Sequence, residues 1–314
     1  MYFPYFRGKQ YELIALREAS EWLNAKSVIP IVEPVRSNYN NLINCISTIH
    51  SNKQKLGLVI NPNLGDFSQD SFDKSLFASL ETDEFHGTLI PVILLNNSTT
   101  LDTISGIFEL FDNNHFIIVH NGINDYVRSF LTGNNDRIDY HVFDEQSSKS
   151  RSYRSRFDMK KRVILEDAFI HAQKNAEYPE ENYFSDLCFY YNEDNYVGFG
   201  DYGVVGKVFS DTGGPAYAVA IHLTYQKEKD QLFVRHFISD SNDKPVNVAG
   251  KFNEALLKFV SFYQSHETIL DFSSACKELL DLNERQHYPG LGYLKKLTIQ
   301  HHLELINKLV LENV

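Results

Sequence analysis

The sequence predicts a single (β/α)8 barrel of the TIM type, an α/β fold, and three observations support this prediction. Apolar runs of four to seven residues recur along most of the chain. Each run ends in a polar or acidic residue followed by a turn, and the runs begin roughly 20 to 35 residues apart, the length of a strand–helix unit. Helical patterns alternate with the first runs. Near-continuous apolar runs are typical of parallel strands that are buried on both faces.

Eight runs fit the strand pattern, and in a closed barrel the active site would lie at the carboxyl ends of the strands. Polar residues occupy those ends in this chain. The last two runs match the pattern least well, so an open α/β sheet is the alternative to a closed barrel. The runs occupy residues 29–34, 56–62, 89–96, 116–121, 138–145, 162–167, 196–201 and 216–222.

Amphipathic helices are predicted before the first run and between the next ones. Each has apolar residues at helical spacing, such as Leu42, Ile46 and Ile49 in the second of them. This alternation of helix with strand is the main support for the α/β class. The predicted helices cover residues 11–23, 40–51, 68–80, 98–112 and 122–131.

The regular alternation fails after the fifth run. Residues 146–162 have poor apolar periodicity, and residues 172–195 are first polar and then aromatic. A β-hairpin is predicted near 217–238, where two strand-like segments flank a charged turn. A C-terminal helical extension of about 246–314 follows. No linker rich in Gly, Pro or Ser divides the chain, so we predict a single domain spanning 1–314.

Composition limits the classes of function. The chain has 314 residues, of which 43% are hydrophobic and 23% charged, as in a globular protein with ample core. A net charge of -11 argues against a surface that binds nucleic acid everywhere, although one local basic site is compatible with it. Cys45, Cys188 and Cys276 are isolated, which fits a reducing compartment. The first residues do not resemble a signal peptide and no apolar run has membrane-spanning length, so the predicted location is the cytosol.

Polar residues that follow the predicted strands would meet at the barrel mouth. Carboxylates beside imidazoles can bind a divalent cation, with Mg²⁺, Mn²⁺ or Zn²⁺ as the candidates. Such an ion would polarise a phosphoryl group and lower the pKa of a bound water. The predicted metal ligands are Glu33, Glu166, Asp201 and His120. The predicted catalytic residues are Glu33, Glu166, Asp144 and His222, of which His222 or Asp144 would move the proton.

Each of these residues has a structural alternative. Glu33 and Glu166 follow apolar strands, and a buried carboxylate needs a partner, so either one would otherwise form an ion pair with an interior Arg or Lys. Asp201 lies in a glycine-rich segment that would either cradle a phosphate or allow a sharp turn. The predicted substrate-binding residues are Arg151, Arg154, Asn96, Asn121 and Tyr202.

The basic segment 149–162 is the sharpest feature of the composition. It contains seven cations and one acid, with Tyr153 and Phe157 among them. It would bind a phosphate-bearing ligand or nucleic acid, with Arg151 and Arg154 on the phosphate and the aromatic rings stacked on bases. The alternative is a solvated loop, because charged runs usually are.

Several segments resemble the "beta protein" group of bacterial and phage proteins. These are YFPYFRGKQYELIAL at 2–16, IPIVEP at 29–34, GDYG at 200–203 and TIQHH at 298–302. The resemblance covers nearly the whole chain. It implies a bacterial or phage accessory protein, in a defence context or beside a gene neighbour, and it brings no established catalytic residues.

The leading hypothesis is a cytosolic barrel hydrolase that acts on a nucleotide or phosphodiester with assistance from a metal ion. The alternative is a non-catalytic module that recognises nucleic acid or a partner protein through the basic segment and the aromatic residues at 183–191. A metal-free glycosidase with two carboxyl groups comes third.

Overall fold

The computed structural model describes residues 1–68, 77, 80, 85, 87–211 and 213–312. Apart from Ser68, Phe77 and Leu80, the predicted helix at 68–80 lies outside the described residues. The chain divides into two compact units. The first contains Met1–Leu13, Ser20–Asp167 and Tyr190–Asp201, and the second contains Ile14–Ala19, Ala168–Phe189 and Tyr202–Val314.

The first unit is a TIM-like barrel, which confirms the predicted fold class. Eight parallel strands are ordered β1-β2-β3-β4-β5-β6-β7-β9, so each strand pairs with its neighbours along the barrel. They are β1 Tyr5–Phe6, β2 Ile31–Val32, β3 Leu56–Val59, β4 Leu89–Leu95, β5 Phe116–His120, β6 Ile138–Asp144, β7 Arg162–Glu166 and β9 Gly198–Asp201. Their side chains are almost all buried, as expected for parallel strands covered on both faces.

The residues before β1 join it to β9. The amide of Phe3 donates to the carbonyl of Phe199 at 2.8 Å, and the amide of Phe199 donates to the carbonyl of Met1 at 3.0 Å. Glycines at 198 and 200 allow the two backbones to come this close. A Cβ at Gly200 would lie 2.3 Å from the Phe3 carbonyl oxygen. Packing against the N-terminal segment therefore explains why both positions are glycine.

The structure differs from the predicted strands in two places, one strand that was missed and one that is not part of the barrel. The first strand of the barrel is β1, in the aromatic segment at the N-terminus, which is too short and too interrupted by Pro4 to show the pattern. The run at 216–222 is not a barrel strand. It leads into β10 of an antiparallel sheet, where buried and partly exposed residues alternate at first as they do when one face of a sheet is covered.

The helices of the first unit agree with the predicted periodicity where that periodicity is strong. α2 buries Leu42, Cys45, Ile46 and Ile49 along one face. α5 is a single turn in the basic segment, where no periodicity was found. The helices are α1 Gln10–Ala19 (whose residues from Ile14 belong to the second unit), α2 Asn40–Ser51, α3 Leu101–Leu110, α4 Asp125–Gly133 and α5 Arg151–Arg154.

The second unit combines an antiparallel sheet with long helices. The strand order is β10-β11-β8, and the predicted hairpin near 217–238 is confirmed as β10 and β11. Apolar residues of β10 share one core with the three C-terminal helices. Among the described residues, no helix is both long and apolar enough to cross a membrane. The elements are β8 Glu181–Ser185, α6 Leu187–Tyr190 (whose last residue belongs to the first unit), β10 Ala220–Glu228, β11 Gln231–Ile238, α7 Val248–Leu270, α8 Ser274–Glu284 and α9 Leu291–Glu312.

We expect Gly200→Ala to destabilise the first unit by about 1–3 kcal/mol or more, because the added methyl group has to displace backbone. Gly106→Ala is the matched control. It lies inside α3, where an added Cβ meets nothing within 4 Å, so it should raise stability by about 1 kcal/mol. Denaturant unfolding followed by the fluorescence of Trp22, the single tryptophan and a residue of this unit, measures both changes. Equal effects of the two substitutions would contradict the role of Gly200.

Candidate functional site

Glu33 at the barrel mouth forms a buried ion pair. It follows β2 and is 1% exposed. Its carboxylate accepts a hydrogen bond from Tyr5 Oη at 2.8 Å and contacts the guanidinium of Arg7, while the Arg7 amide donates to Glu12 at 2.7 Å. Arg7 comes directly after β1, so the pair links the carboxyl ends of neighbouring strands. This geometry matches the structural alternative for Glu33.

The other predicted metal ligands are also engaged within the protein. Both ring nitrogens of His120 are occupied, one by Tyr153 Oη and the other by His141 Nδ1, each at 3.0 Å. Asp201 accepts from Tyr2 Oη at 3.0 Å, and Glu166 is its register partner on β7. Within the described parts of the chain, no group of three or more His, Cys, Asp and Glu is placed to hold a metal ion. The metal ion stays a prediction.

Three further predicted residues order the loops at the mouth. The Asp144 carboxylate accepts from the amide and hydroxyl of Ser147, and the same hydroxyl lies 2.9 Å from Asn121 Oδ1. Asn96 Oδ1 accepts from the amide and hydroxyl of Ser98 at 3.0 and 2.7 Å. These contacts are typical of Asx turns at loop starts.

Arg154 uses its guanidinium inside the protein. Nε donates to the Ser148 carbonyl at 2.7 Å, Nη1 to Tyr196 Oη at 2.9 Å and Nη2 to the Glu145 carbonyl at 3.1 Å. The Tyr153 ring is buried against His120. Burial removes it from any role in stacking on bases.

Apart from Arg162, which is buried at the start of β7, the remaining cations of the basic segment divide into two groups. Arg156 lies 3.6 Å from Asp125, and Lys161 donates to two backbone carbonyls at 2.5 Å. Lys149, Arg151 and Lys160 are exposed, and among the described residues no hydrogen bond or ion pair involves their side chains. Much of the basic segment therefore stabilises its own surroundings.

His222 lies in the second unit, where it forms a pair with His236. The two residues face each other across β10 and β11, and their Nδ1 atoms are 2.7 Å apart. Nε2 of His236 lies 3.0 Å from Asn182 Oδ1. We call His222 and His236 the histidine pair.

With the Asn182 amide oriented as in this structure, the hydrogen bonds assign the protons to the ring nitrogens. An amide oxygen only accepts, so His236 Nε2 donates to Asn182 and His236 Nδ1 is the acceptor nitrogen of a neutral ring. His222 Nδ1 then donates to it, which leaves Nε2 of His222 as an unprotonated nitrogen.

Burial keeps the pair neutral. Desolvation, followed by the charges of His236, His171 and Lys295, lowers the pKa of His222 to about 3. Desolvation, followed by the charge of Arg235, lowers the pKa of His236 to about 4. The rings of Phe169 and Tyr178 lie 5.1 and 4.7 Å from the His222 ring, which explains the loss of water. Both imidazoles are uncharged at neutral pH.

His222 forms part of the wall of a cleft of about 780 Å³. Lys174, Lys295 and the imidazole of His171 lie in the same wall. Lys174 is 3.6 Å from Glu177. Among the residues that the structure describes, no hydrogen bond or ion pair involves the Lys295 side chain. The wall thus combines a neutral, basic nitrogen with positive charge, whereas Tyr202 is buried outside it.

A second cleft in this unit, of about 820 Å³, has a different character. Its charged residues are all in ion pairs, because Glu181 contacts Lys227 and Arg235, Arg235 also contacts Glu180, and Lys258 contacts Asp240. This cleft presents little net charge to a ligand, so the cleft at His222 is the better candidate site.

The sequence predicted His222 but none of its neighbours. Counting back from Glu228 and Gln231 places residue 237 opposite residue 222, and a register shift between Gln226 and Glu228 moves the partner to His236, so the sequence alone could not identify His236. Lys174 and Lys295 are single cations in unremarkable sequence, and no spacing distinguishes them.

Fold and site together define an α/β protein with a TIM-like barrel and a second unit that has a cationic cleft lined by histidine. A scan of protein-family models gives no match to this chain, and no curated protein shows significant similarity to it. The resemblance to the beta protein group stays a prediction.

Nuclear magnetic resonance of ¹⁵N-histidine protein tests the tautomers. We expect His222 to be neutral at pH 7 with the proton on Nδ1, and to stay neutral below pH 5 because its pKa is about 3. Asn182→Leu should remove the hydrogen bond to His236 and change the ¹⁵N chemical shifts of the ring nitrogens of both histidines. His287→Gln, at an exposed position, should leave these chemical shifts unchanged. A proton on Nε2 of His222 in the unaltered protein would contradict the proposed chain of hydrogen bonds.

Acid should destabilise the barrel through His120 and His141. Burial lowers the pKa of His141 from 6.5 to about 3, and burial also lowers that of His120. Between pH 6.5 and 3 the unfolded state binds more protons, so stability is complete above this window and falls with pH inside it. Each histidine contributes about 1.4 kcal/mol per pH unit. His141→Gln should reduce the slope of unfolding free energy against pH, measured through Trp22, while exposed His115→Gln should not. An unchanged slope in His141→Gln would contradict this account.

Proposed function

We propose that the cleft of the second unit binds a phosphate ester and that the protein hydrolyses it, with His222 as the general base. The observation that carries this proposal is a neutral histidine, held by His236, in a wall that also contains Lys174 and Lys295. Positive charge selects an anion, and the free nitrogen of the imidazole supplies a base.

Charge explains why the ligand would be anionic. Lys295 and His171 are close enough to His222 to lower its pKa, so their field acts on the cleft. A phosphate group there would offset that field. The Lys295 ammonium has no competing ion pair in the described chain, so it is available to the phosphate oxygens.

Desolvation first, and then the same charges, set the strength of the base. A pKa of about 3 makes His222 a weak base before a phosphate binds. A bound phosphate would raise this pKa, because a nearby negative charge favours the imidazolium. General bases work best when their pKa lies near the working pH. Binding of the substrate would therefore activate the base.

The reaction would use one water molecule. The water oxygen forms a bond to phosphorus while the bond from phosphorus to the ester oxygen breaks. Nε2 of His222 accepts the proton of the water and returns a proton to the leaving oxygen. Lys174 and Lys295 would neutralise charge on the phosphoryl oxygens. His236 would stabilise the orientation of His222 without contacting the substrate.

Binding without hydrolysis is the second candidate, since the same cations would serve a regulatory module. The exposed cations Lys149, Arg151 and Lys160 provide a separate, smaller basis for contact with an anionic partner. The burial of Tyr153 and Phe157 disfavours stacking on nucleic acid by that segment.

The test combines turnover with binding. We expect hydrolysis of 4-nitrophenyl phosphate or of its bis-ester, and a loss of about 10²- to 10⁴-fold in kcat for His222→Gln. Lys295→Gln should mainly raise KM. The matched controls are His287→Gln and Lys277→Gln, at exposed positions of the same unit outside the cleft wall.

The outcomes separate the two candidates. Phosphate binding that is weakened in Lys295→Gln, without turnover of any ester, would support the binding module and contradict hydrolysis. Turnover that survives in His222→Gln would remove His222 from the reaction. If the protein shows no binding and no turnover, both candidates are contradicted.

A further inference from the structure

Tyr217 gives the cleft a second chemical character. It lies in the cleft wall and is 49% exposed. Its backbone is fixed, since its amide donates to the Pro215 carbonyl at 2.9 Å and its carbonyl accepts from Lys251 Nζ at 2.6 Å. Among the described residues, its ring has no hydrogen bond or ring contact. The backbone is held while the aromatic face stays available.

The same wall also contains exposed apolar surface. Leu291 is 40% exposed although it begins helix α9. Gly214 lies in the wall as well, and a Cβ added there would meet nothing within 4 Å. Gln173 and Asn242, also in the wall, carry exposed amide groups. The wall therefore has a cationic part, an aromatic and apolar part, and neutral hydrogen-bonding groups.

We infer that the ligand of this cleft is a nucleoside phosphate, with the base stacked on Tyr217 and the phosphate at Lys174 and Lys295. Only the phosphate end of this ligand rests on the proposed function. A flat base matches an exposed aromatic ring, and its polar edge matches the amides of Gln173 and Asn242.

The size of the cleft agrees with this ligand. A volume of about 780 Å³ is in the range of sites for whole small molecules. Inorganic phosphate or a sugar phosphate alone would leave the ring of Tyr217 and the side chain of Leu291 facing water. A nucleoside phosphate has both an apolar face and an anionic group, as the wall requires.

Calorimetric titration separates the two ends of the ligand. The ligands are inorganic phosphate, ribose 5-phosphate, the four ribonucleoside monophosphates and the free nucleosides. We expect at least one monophosphate to bind about 10-fold or more tightly than ribose 5-phosphate, the gain expected from one stacked base. Tyr217→Ala should remove that gain and leave affinity for ribose 5-phosphate unchanged, while Tyr217→Phe should retain it.

Controls distinguish stacking from loss of structure. Tyr126→Ala removes a ring that is 90% exposed in the first unit and should change no affinity. The thermal unfolding of Tyr217→Ala should match that of the unaltered protein, because the ring has no described contact. Phenyl phosphate is the remaining arm. If phenyl phosphate binds as tightly as the best monophosphate, the choice of a nucleoside is overturned in favour of any aryl phosphate.

Failure of this inference and of the proposed function would look different. Equal affinities for ribose 5-phosphate and all monophosphates, unaffected by Tyr217→Ala but weakened by Lys295→Gln, would overturn the nucleoside and leave the phosphate site intact. Binding of free nucleosides that depends on Tyr217 but not on Lys295 would overturn the phosphate site. No binding of any of these compounds would overturn both.

Discussion

One backbone contact closes the barrel, and much of the first unit depends on it. An open edge of a parallel sheet leaves a row of unpaired amides and carbonyls, and closure removes that edge. Here the segment before β1 reaches β9 through the hydrogen bonds between Phe3, Phe199 and Met1. The two backbones come so close that residue 200 has no room for a side chain. The same segment supplies the Tyr2 hydroxyl that holds Asp201 at the end of β9. Closure thus fixes both the ring of strands and a carboxylate at its mouth.

The polar residues at the barrel mouth follow from the cost of burying charge. A buried carboxylate without a partner is expensive, so Glu33 is held by Arg7 and Tyr5. Arg154 is surrounded by carbonyls and a hydroxyl for the same reason. Side chains that use their oxygens and nitrogens in this way have little left for a substrate. The mouth is polar because loops and strand ends are held together there. In the cleft of the second unit, by contrast, no hydrogen bond or ion pair among the described residues involves the Lys295 side chain.

Sequence patterns predicted the architecture better than the site, for physical reasons. Buried strands and amphipathic helices leave a period in the chain, so seven barrel strands and the hairpin could be found. β1 could not, because a strand of two residues has no period. The run of cations around Arg154 looked like a binding segment, since charge in a sequence does not show whether it is satisfied internally. Lys295 is the opposite case, because no sequence pattern distinguishes it. Its proposed role depends on the residues that surround it, and only folding brings it near His222.

Two pairs of neutral histidines show how the same interaction can have different consequences. In the barrel, Nε2 of His120 lies 3.0 Å from His141, and Tyr153 occupies the other nitrogen of His120. Both imidazoles are fully buried, so no ligand can reach this pair from solvent. In the second unit His222 is bonded to His236 through one nitrogen and lies in the wall of a cleft. Desolvation makes each of these rings neutral, but only a ring at a cleft can meet a ligand that changes its protonation. Access, and not the presence of paired histidines, therefore separates a structural cluster from a candidate site.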